Sequence, residues 1–434
     1  RERFLNTYSA RVATAVVIAN MVGTGVFTSL GFQLLAIDST SAILWLWAIG
    51  GLCALCGALC YAELGARHVG SGGETHFLTE LVHPYAGFVS GCVSATVGFA
   101  APIALASLTF GAYLATAFPA LPARVSASLL IGTLVLLHSR SRRESAQGQF
   151  ALTVLKLGLI LVFIAAALIA GGDYSTQLTG DPFTGLGDMT SASGAVALIY
   201  VMYAYSGWNA ATYIAGELSN PQRDLPRALI TGCLTVTLIY VALNAVFLMA
   251  APVEKLRGEV EIAYIVADYV LGDQGAFIVS ILLSGILIST VSAMIMAGPR
   301  ALHRLGEDYP AFSLLGQSKA GGVPVNAIIF MGVMALGFLW SSTFEKILLF
   351  SGFVMATNTF VTVLAVFISR RRQPSSPIFG MPLYPLPAIL FLLITGWTLA
   401  YTAMQFPAQV LLALLVMGVG YPIFVLFKDT PPKA

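Results

Sequence analysis

The chain has 434 residues, of which 57% are hydrophobic and 10% charged, with a formal net charge of +2 and a mean hydropathy of +0.85. A soluble domain carries about 25% charged residues, so composition excludes a soluble enzyme or binding module and points to a chain built for lipid. The nearly balanced charge gives no case for nucleic acid or an acidic partner.

Apolar runs predict transmembrane helices at 10–36, 41–66, 84–117, 122–139, 148–171, 191–216, 226–251, 274–303, 323–341, 344–369, 384–404 and 407–427. Each is near or above the roughly 20 residues that cross a hydrocarbon core. The expected class is an all-α membrane protein of twelve transmembrane helices. Segments 72–82 and 258–272 read as short surface helices. The opening Arg1-Glu2-Arg3-Phe4 has no small-residue cleavage site behind it, so no signal peptide is expected.

Basic residues set the orientation. With the N-terminus inside, the even-numbered loops and both tails hold 17 basic residues, among them Arg1, Arg3, Arg142, Arg143, Lys319, Arg370, Lys428 and Lys433. The opposite side holds Arg124, Lys255, Arg257 and Lys346, and Lys156 lies inside a span. The imbalance predicts cytoplasmic termini, an even span count and residence in a cell membrane.

Two spans are interrupted by glycine. Span 1 reads Asn20-Met21-Val22-Gly23-Thr24-Gly25-Val26-Phe27, and span 6 reads Tyr203-Ala204-Tyr205-Ser206-Gly207-Trp208-Asn209. Glycine inside a helix costs about 1 kcal/mol relative to alanine, and irregular backbone at membrane depth persists only against protein or a wet cavity. Glycines of this kind also serve close helix packing. Interruptions five spans apart favour a binding site between two structural repeats, here 10–171 and 191–369, with 384–427 as additional helices.

At these residues the sequence resembles the amino acid–polyamine–organocation superfamily. Gly23-Thr24-Gly25-Val26-Phe27 is similar to its span 1 signature. Tyr205-Ser206-Gly207-Trp208-Asn209, with Glu217-Leu218-Ser219-Asn220-Pro221 and Leu225-Pro226-Arg227, is similar to its span 6 and following loop. Arg300 and Gly322-Val323-Pro324 also fit, and the L-type amino-acid transporter branch, with its bacterial members, is the nearest part of the superfamily. The resemblance implies the leucine-transporter fold of inverted five-helix repeats and alternating access. It implies a substrate carboxylate on the amides around Gly23, Thr24, Gly25 and Val26, and a substrate ammonium on carbonyls of Met21, Tyr203, Ala204 and Ser206, with Tyr203 as a lid. Helix-end electrostatics agree: amides and a positive dipole end suit an anion, free carbonyls a cation.

Lys156 sits in span 5, where a central lysine costs roughly 2.5–3.5 kcal/mol on insertion scales. Its stem is long enough to snorkel to the interface. The resemblance implies instead that its ammonium replaces a sodium ion, between span 1 carbonyls and span 8 hydroxyls such as Ser289 or Thr290. Asn358 in span 10 is a polar group in an apolar run that needs a partner, and reads as site-adjacent. Trp208 reads as packing. Glu63 and Glu217 read as partners of Arg67, Arg223 or Arg227. Members from animals bond to a glycoprotein through a cysteine after span 3; residues 118–122 here lack one, so no such partner is expected.

Cys53, Cys56 and Cys60 share one apolar helix, and Cys92 and Cys233 lie in two others, which suits small hydrophobes better than a disulfide framework or redox pair. The five histidines fall at or near loops with no metal-binding spacing, so no enzyme, metal or cofactor is expected. The expected function is sodium-independent transport of neutral L-amino acids, by exchange. Proton-coupled symport and an amino-acid sensor on a transporter fold are the alternatives, the sensor disfavoured by short tails. Neutral substrates are expected because no acidic residue is near either break in sequence, the nearest being Asp38 and Glu217.

Overall fold

A computed structural model describes residues 8–140, 146–170, 185–318, 323–373 and 379–427. Arg1, Arg3, Arg142, Arg143, Lys319, Gly322, Lys428 and Lys433, used in the charge and motif readings, lie outside the described residues.

The described elements are helical. In order they are α1 (Ala10–Met21), α2 (Gly25–Gln33), α3 (Thr40–Arg67), α4 (Glu74–Leu81), α5 (Pro84–Thr96), α6 (Ala100–Ala117), α7 (Ala123–His138), α8 (Ala146–Ala170) and α9 (Leu186–Thr190). Then follow α10 (Ala192–Ala204), a 3-10 segment (Ala210–Glu217), α11 (Pro221–Ala250), α12 (Val253–Leu256), α13 (Ile262–Asp308), α14 (Val325–Ser341), α15 (Phe344–Arg372), α16 (Leu386–Gln405) and α17 (Pro407–Phe427). Among the described residues nine stretches are long and apolar enough to cross a membrane, with α1–α2 and α5–α6 each counted as one pass; α7, α10 and α14 are shorter apolar helices.

Local chemistry sets several boundaries. Ser39, Ser191 and Thr343 precede α3, α10 and α15, and each side-chain oxygen accepts a hydrogen bond from the amide three residues on. α11 starts five residues before the expected 226, because Pro221 fits a first turn whose amide has no helical partner anyway. The expected helix at 258–272 is present from Ile262 as the first part of α13, set off from the following span by a bend at Gly272, whose φ of +71° is not helical. The pass at 84–117 is also interrupted, at 97–99. There the Gly98 amide donates to the Val93 carbonyl five residues back, at 2.9 Å, making one wide turn.

The broken passes lie at the centre. The hydrophobic windows of α1–α2 and α5–α6 are 72% buried, against 12% for α17. α3 and α1 pack along α11, α6 along α13, and α10 against α2, α15 and α16. Rim helices turn Leu155, Val162, Ile169, Val333, Leu412, Leu415 and Val419 outward, as lipid contact requires.

One end of the bundle is tied by a buried carboxylate. Glu63 accepts from Arg67 Nε at 2.8 Å, from Arg370 Nε and Nη2 at 2.6 and 2.7 Å, and from the Met381 amide at 2.8 Å. Arg67 is thus one expected partner, but Arg370 stands where Arg223 or Arg227 was expected. Glu217 has no ion pair among the described residues; its carbonyl accepts from the Tyr8 amide at 2.8 Å.

Candidate functional site

The break in the first pass covers Val22–Thr24. The Gly23 amide turns back to the Met21 carbonyl at 2.8 Å, and α2 begins at Gly25. Among the described residues no acceptor takes the amides of Thr24, Gly25 or Val26, which stand at the positive end of α2. The carbonyl side is occupied. Met21 O accepts from Gly23 and also from Tyr240 Oη at 2.6 Å. Lys156 Nζ donates to Val22 O at 2.8 Å and to Thr290 Oγ1 at 3.1 Å. Lys156 is 7% exposed, so its ammonium is inside the bundle and not snorkelled. Ser289, the other hydroxyl considered, has no hydrogen bond among the described residues.

The second break runs from Tyr205 to Asn209 and leads into the 3-10 segment. Gly207 has φ +92°, a conformation glycine adopts without strain. Tyr203 O accepts from the Ser206 amide at 2.9 Å, whereas no described donor reaches Ala204 O or Ser206 O. Of the four carbonyls expected to hold an ammonium, Ala204 and Ser206 are open, and Met21 and Tyr203 are already engaged.

The two breaks touch backbone to backbone. A Cβ at Gly25 would lie 2.5 Å from Ala204 Cα, and one at Gly207 would lie 2.8 Å from Asn20 O. Gly25 is therefore packed directly against the backbone of Ala204. Gly23 is the open position: a Cβ there would meet only Met21 O, at 3.9 Å. Free amides thus stand at Thr24, Gly25 and Val26 in the first break, and free carbonyls at Ala204 and Ser206 in the second.

A profile of the amino acid permease family matches residues 9–421. The chain belongs to that family, within the amino acid–polyamine–organocation superfamily. It is a multi-pass membrane protein whose function is amino-acid transport, and it is not an enzyme. The b(0,+)-type amino acid transporter 1 of Mus musculus is 26% identical over 389 residues, covering 87% of this chain and 78% of that protein. The human (Homo sapiens) large neutral amino acids transporter small subunit 2 is 27% identical over 430 residues, covering 95% and 79%. The Asc-type amino acid transporter 1 of Mus musculus is 28% identical over 443 residues, covering 97% and 81%.

Around the breaks the permease is aromatic. Tyr203 is buried with Phe32, Leu105, Tyr200 and Leu348. Tyr205 turns away from the break, donating to Trp47 O at 3.0 Å and packing on Tyr240. Trp208 packs edge-on against Tyr61 with ring centroids 4.7 Å apart. Ser107 is fully buried on α6, and its hydroxyl has no partner among the described residues. Asn358 lines a groove of about 360 Å³ between α5, α15 and α17, with Ser90, Val93 and Met417, and among the described residues its side chain makes no hydrogen bond to either break.

One site residue escaped the sequence reading. Glu74, on the short helix α4 outside the spans, is 2% exposed. It accepts from Tyr213 Oη at 2.6 Å, from Tyr61 Oη at 3.2 Å, and from Asn209 Nδ2 in the second break. The expectation that no acidic side chain lies near either break is therefore corrected. Its sequence signal was a carboxylate directly after Gly72-Gly73, in a segment read only as a surface helix. Burial pushes the Glu74 carboxyl up, and its three donors pull it partly back.

Proposed function

We propose that the permease is a sodium-independent exchanger of neutral L-amino acids that works by alternating access. The observation that carries this is the Lys156 ammonium between Val22 O and Thr290 Oγ1. A fixed cation bridging a broken-span carbonyl and a hydroxyl on α13 makes the contacts a bound sodium ion would make, and it leaves no reason to recruit one. The substrate carboxylate is held by the amides of Thr24, Gly25 and Val26, and its ammonium by Ala204 O and Ser206 O. Gly23 borders the open face of the site, Tyr203 closes over the substrate, and Thr290 keeps Lys156 in place.

A neutral side chain follows from the charge balance. Both charges of the zwitterion are matched by backbone, and Glu74 is taken up by three neutral donors, so a cationic side chain finds no free counter-ion. The name of the human relative, a large neutral amino acids transporter, agrees. The back-to-back glycine contacts, Gly25 on Ala204 and Gly207 on Asn20, support two inverted repeats, 10–171 and 191–369, in twelve spans with 384–427 outside them. The basic residues support cytoplasmic termini in a cell membrane. The absence of cysteine from 118–122 supports a transporter without a disulfide-linked glycoprotein.

Purified permease in proteoliposomes tests this. Labelled neutral amino acids should exchange equally with and without sodium at fixed ionic strength, and without an imposed pH gradient. Arginine and glutamate should compete worse than alanine, serine, leucine or phenylalanine. Uptake that needs sodium, or one driven only by a pH gradient, would overturn the exchanger reading.

A further inference from the structure

Glu74 is a buried carboxylate that the proposed transport cycle does not use. It sits at the first position of α4, and its oxygens join three separate pieces of the protein. Tyr61 belongs to α3, Asn209 to the second break, and Tyr213 to the 3-10 segment after it. The neighbouring glycine allows this approach: a Cβ at Gly73 would lie 2.9 Å from Thr212 Oγ1 and 3.0 Å from the Tyr213 ring. Further contacts reinforce the seam. Ser71 Oγ accepts from the Gly216 amide at 3.1 Å, and Tyr213 Oη lies 3.4 Å from Ser94 Oγ on α5.

We propose that Glu74 is a positioning residue that clamps the far half of broken span 6 to α3 and α4, and that release of this clamp opens the substrate site on the α4 side. The inference rests on the alternating-access reading above and on the proposed orientation, in which the basic residues put α4 on the cytoplasmic side. Glu74 touches no substrate. It acts through Asn209 and Tyr213, the residues that join the substrate carbonyls at Ala204 and Ser206 to the 3-10 segment. A segment hinged at a glycine with φ +92° is free to swing unless its distal end is held. The described hydrogen bonds hold that end by Glu74, by Ser71, and by the Tyr8 strand pairing with Glu217 and Ser219. Only Glu74 among these is ionisable in its side chain and fully enclosed.

The clamp is sensitive to protonation. An ionised Glu74 accepts from three donors through charge-assisted bonds, whereas a protonated one must donate through one oxygen, so that Tyr213 reverses towards Ser94 Oγ and the remaining bonds become weaker, neutral ones. The groups facing it are Tyr61 from α3, Tyr213 and Asn209 from broken span 6, and Ser94 from α5 beyond Tyr213. Among the described residues no cation forms an ion pair with it. Nearby charged or titratable groups are engaged elsewhere: Glu63 with Arg67 and Arg370, and Glu80 with His68 and His76. Acid on the cytoplasmic side therefore loosens the clamp through Glu74.

The test is exchange by the full chain in proteoliposomes, with internal pH varied and external pH fixed. Glu74→Gln keeps the shape but not the charge, so it should behave at every pH as the wild type does when acidified. We expect its maximal exchange rate to change at least five-fold at neutral pH, its external half-saturation to stay within two-fold, and its internal pH profile to become flat. Tyr213→Phe and Asn209→Ala each remove one donor and should shift the maximal rate in the same direction, which keeps the proposal testable where Glu74→Ala does not fold. Glu74→Gln with the wild-type rate and an unchanged pH profile overturns the clamp. So does a variant that loses only thermal stability with transport kinetics intact. A wild type that exchanges no amino acid overturns the transport reading instead, and the two failures are distinct.

Discussion

The two breaks differ in which of their groups are engaged by side chains. At the first, side chains take backbone carbonyls: Tyr240 Oη donates to Met21 O and Lys156 Nζ to Val22 O, while the amides of Thr24, Gly25 and Val26 have no described acceptor. At the second, the engaged groups are themselves side chains: Asn209 Nδ2 donates to Glu74 and Tyr205 Oη to Trp47 O. Its backbone keeps both kinds of free group, with Ala204 O and Ser206 O lacking a described donor and the amides of Gly207, Trp208 and Asn209 a described acceptor. An unwound helix exposes both kinds of backbone group, so it has no intrinsic preference for one charge. On the proposed function, a cation and a phenol bias the first break towards an anion by occupying its carbonyls, and the second break is left open to either charge.

The largest effect should come from removing the cation at break 1. Lys156→Ala frees Val22 O and leaves Thr290 without its donor, so the break regains a carbonyl that competes for cations. Exchange in proteoliposomes should fall at least ten-fold, about 1.4 kcal/mol or more. A rate within two-fold of wild type would mean that the carbonyls at break 1 need no occupant.

Next comes the seam between the breaks. Gly25→Val forces a branched side chain into the backbone of Ala204, and overpacking of this kind costs about 1–3 kcal/mol. The expected outcome is a lowered melting temperature in detergent together with lost binding. Gly23→Ala, one turn residue away, meets open space and should keep wild-type stability. Equal stability losses for the two would erase the distinction between a packing glycine and an open one.

A smaller effect is expected at Tyr240. Tyr240→Phe removes one neutral hydrogen bond, worth about 0.5–1.5 kcal/mol, and leaves Met21 O with a single donor. The apparent substrate KM should rise by roughly two- to ten-fold on that scale. Least of all, Asn358→Ala should leave exchange within two-fold, because Asn358 lines a groove between α5, α15 and α17 and makes no hydrogen bond to either break among the described residues. A large loss there would return span 10 to the substrate site.

The sequence made the breaks legible because glycines interrupt two apolar runs five spans apart, and it made Lys156 legible because a lone charge in span 5 must find a partner. The span boundaries followed from hydropathy to within a few residues. What stayed hidden depends on direction and not on composition. Which groove Asn358 lines depends on how α5, α15 and α17 pack, and the space at Gly25 is set by Ala204, 179 positions later in the chain. Glu74 was hidden for a different reason. A carboxylate in a polar loop carries no signal of burial, and only the folded approach of Tyr61, Asn209 and Tyr213 encloses it.

The reciprocal glycine contacts also bear on mechanics. Side chains give compliance, because rotamers adjust when neighbours shift. Gly25 against Ala204 and Gly207 against Asn20 leave none at the crossing, so a displacement of either broken helix is passed to the other without slack. A substrate held as proposed therefore bridges parts, α2 and α10, that already move together. Its energy goes into turning that pair against the surrounding helices and against the hinged segment beyond Gly207, and not into pulling α2 and α10 towards each other.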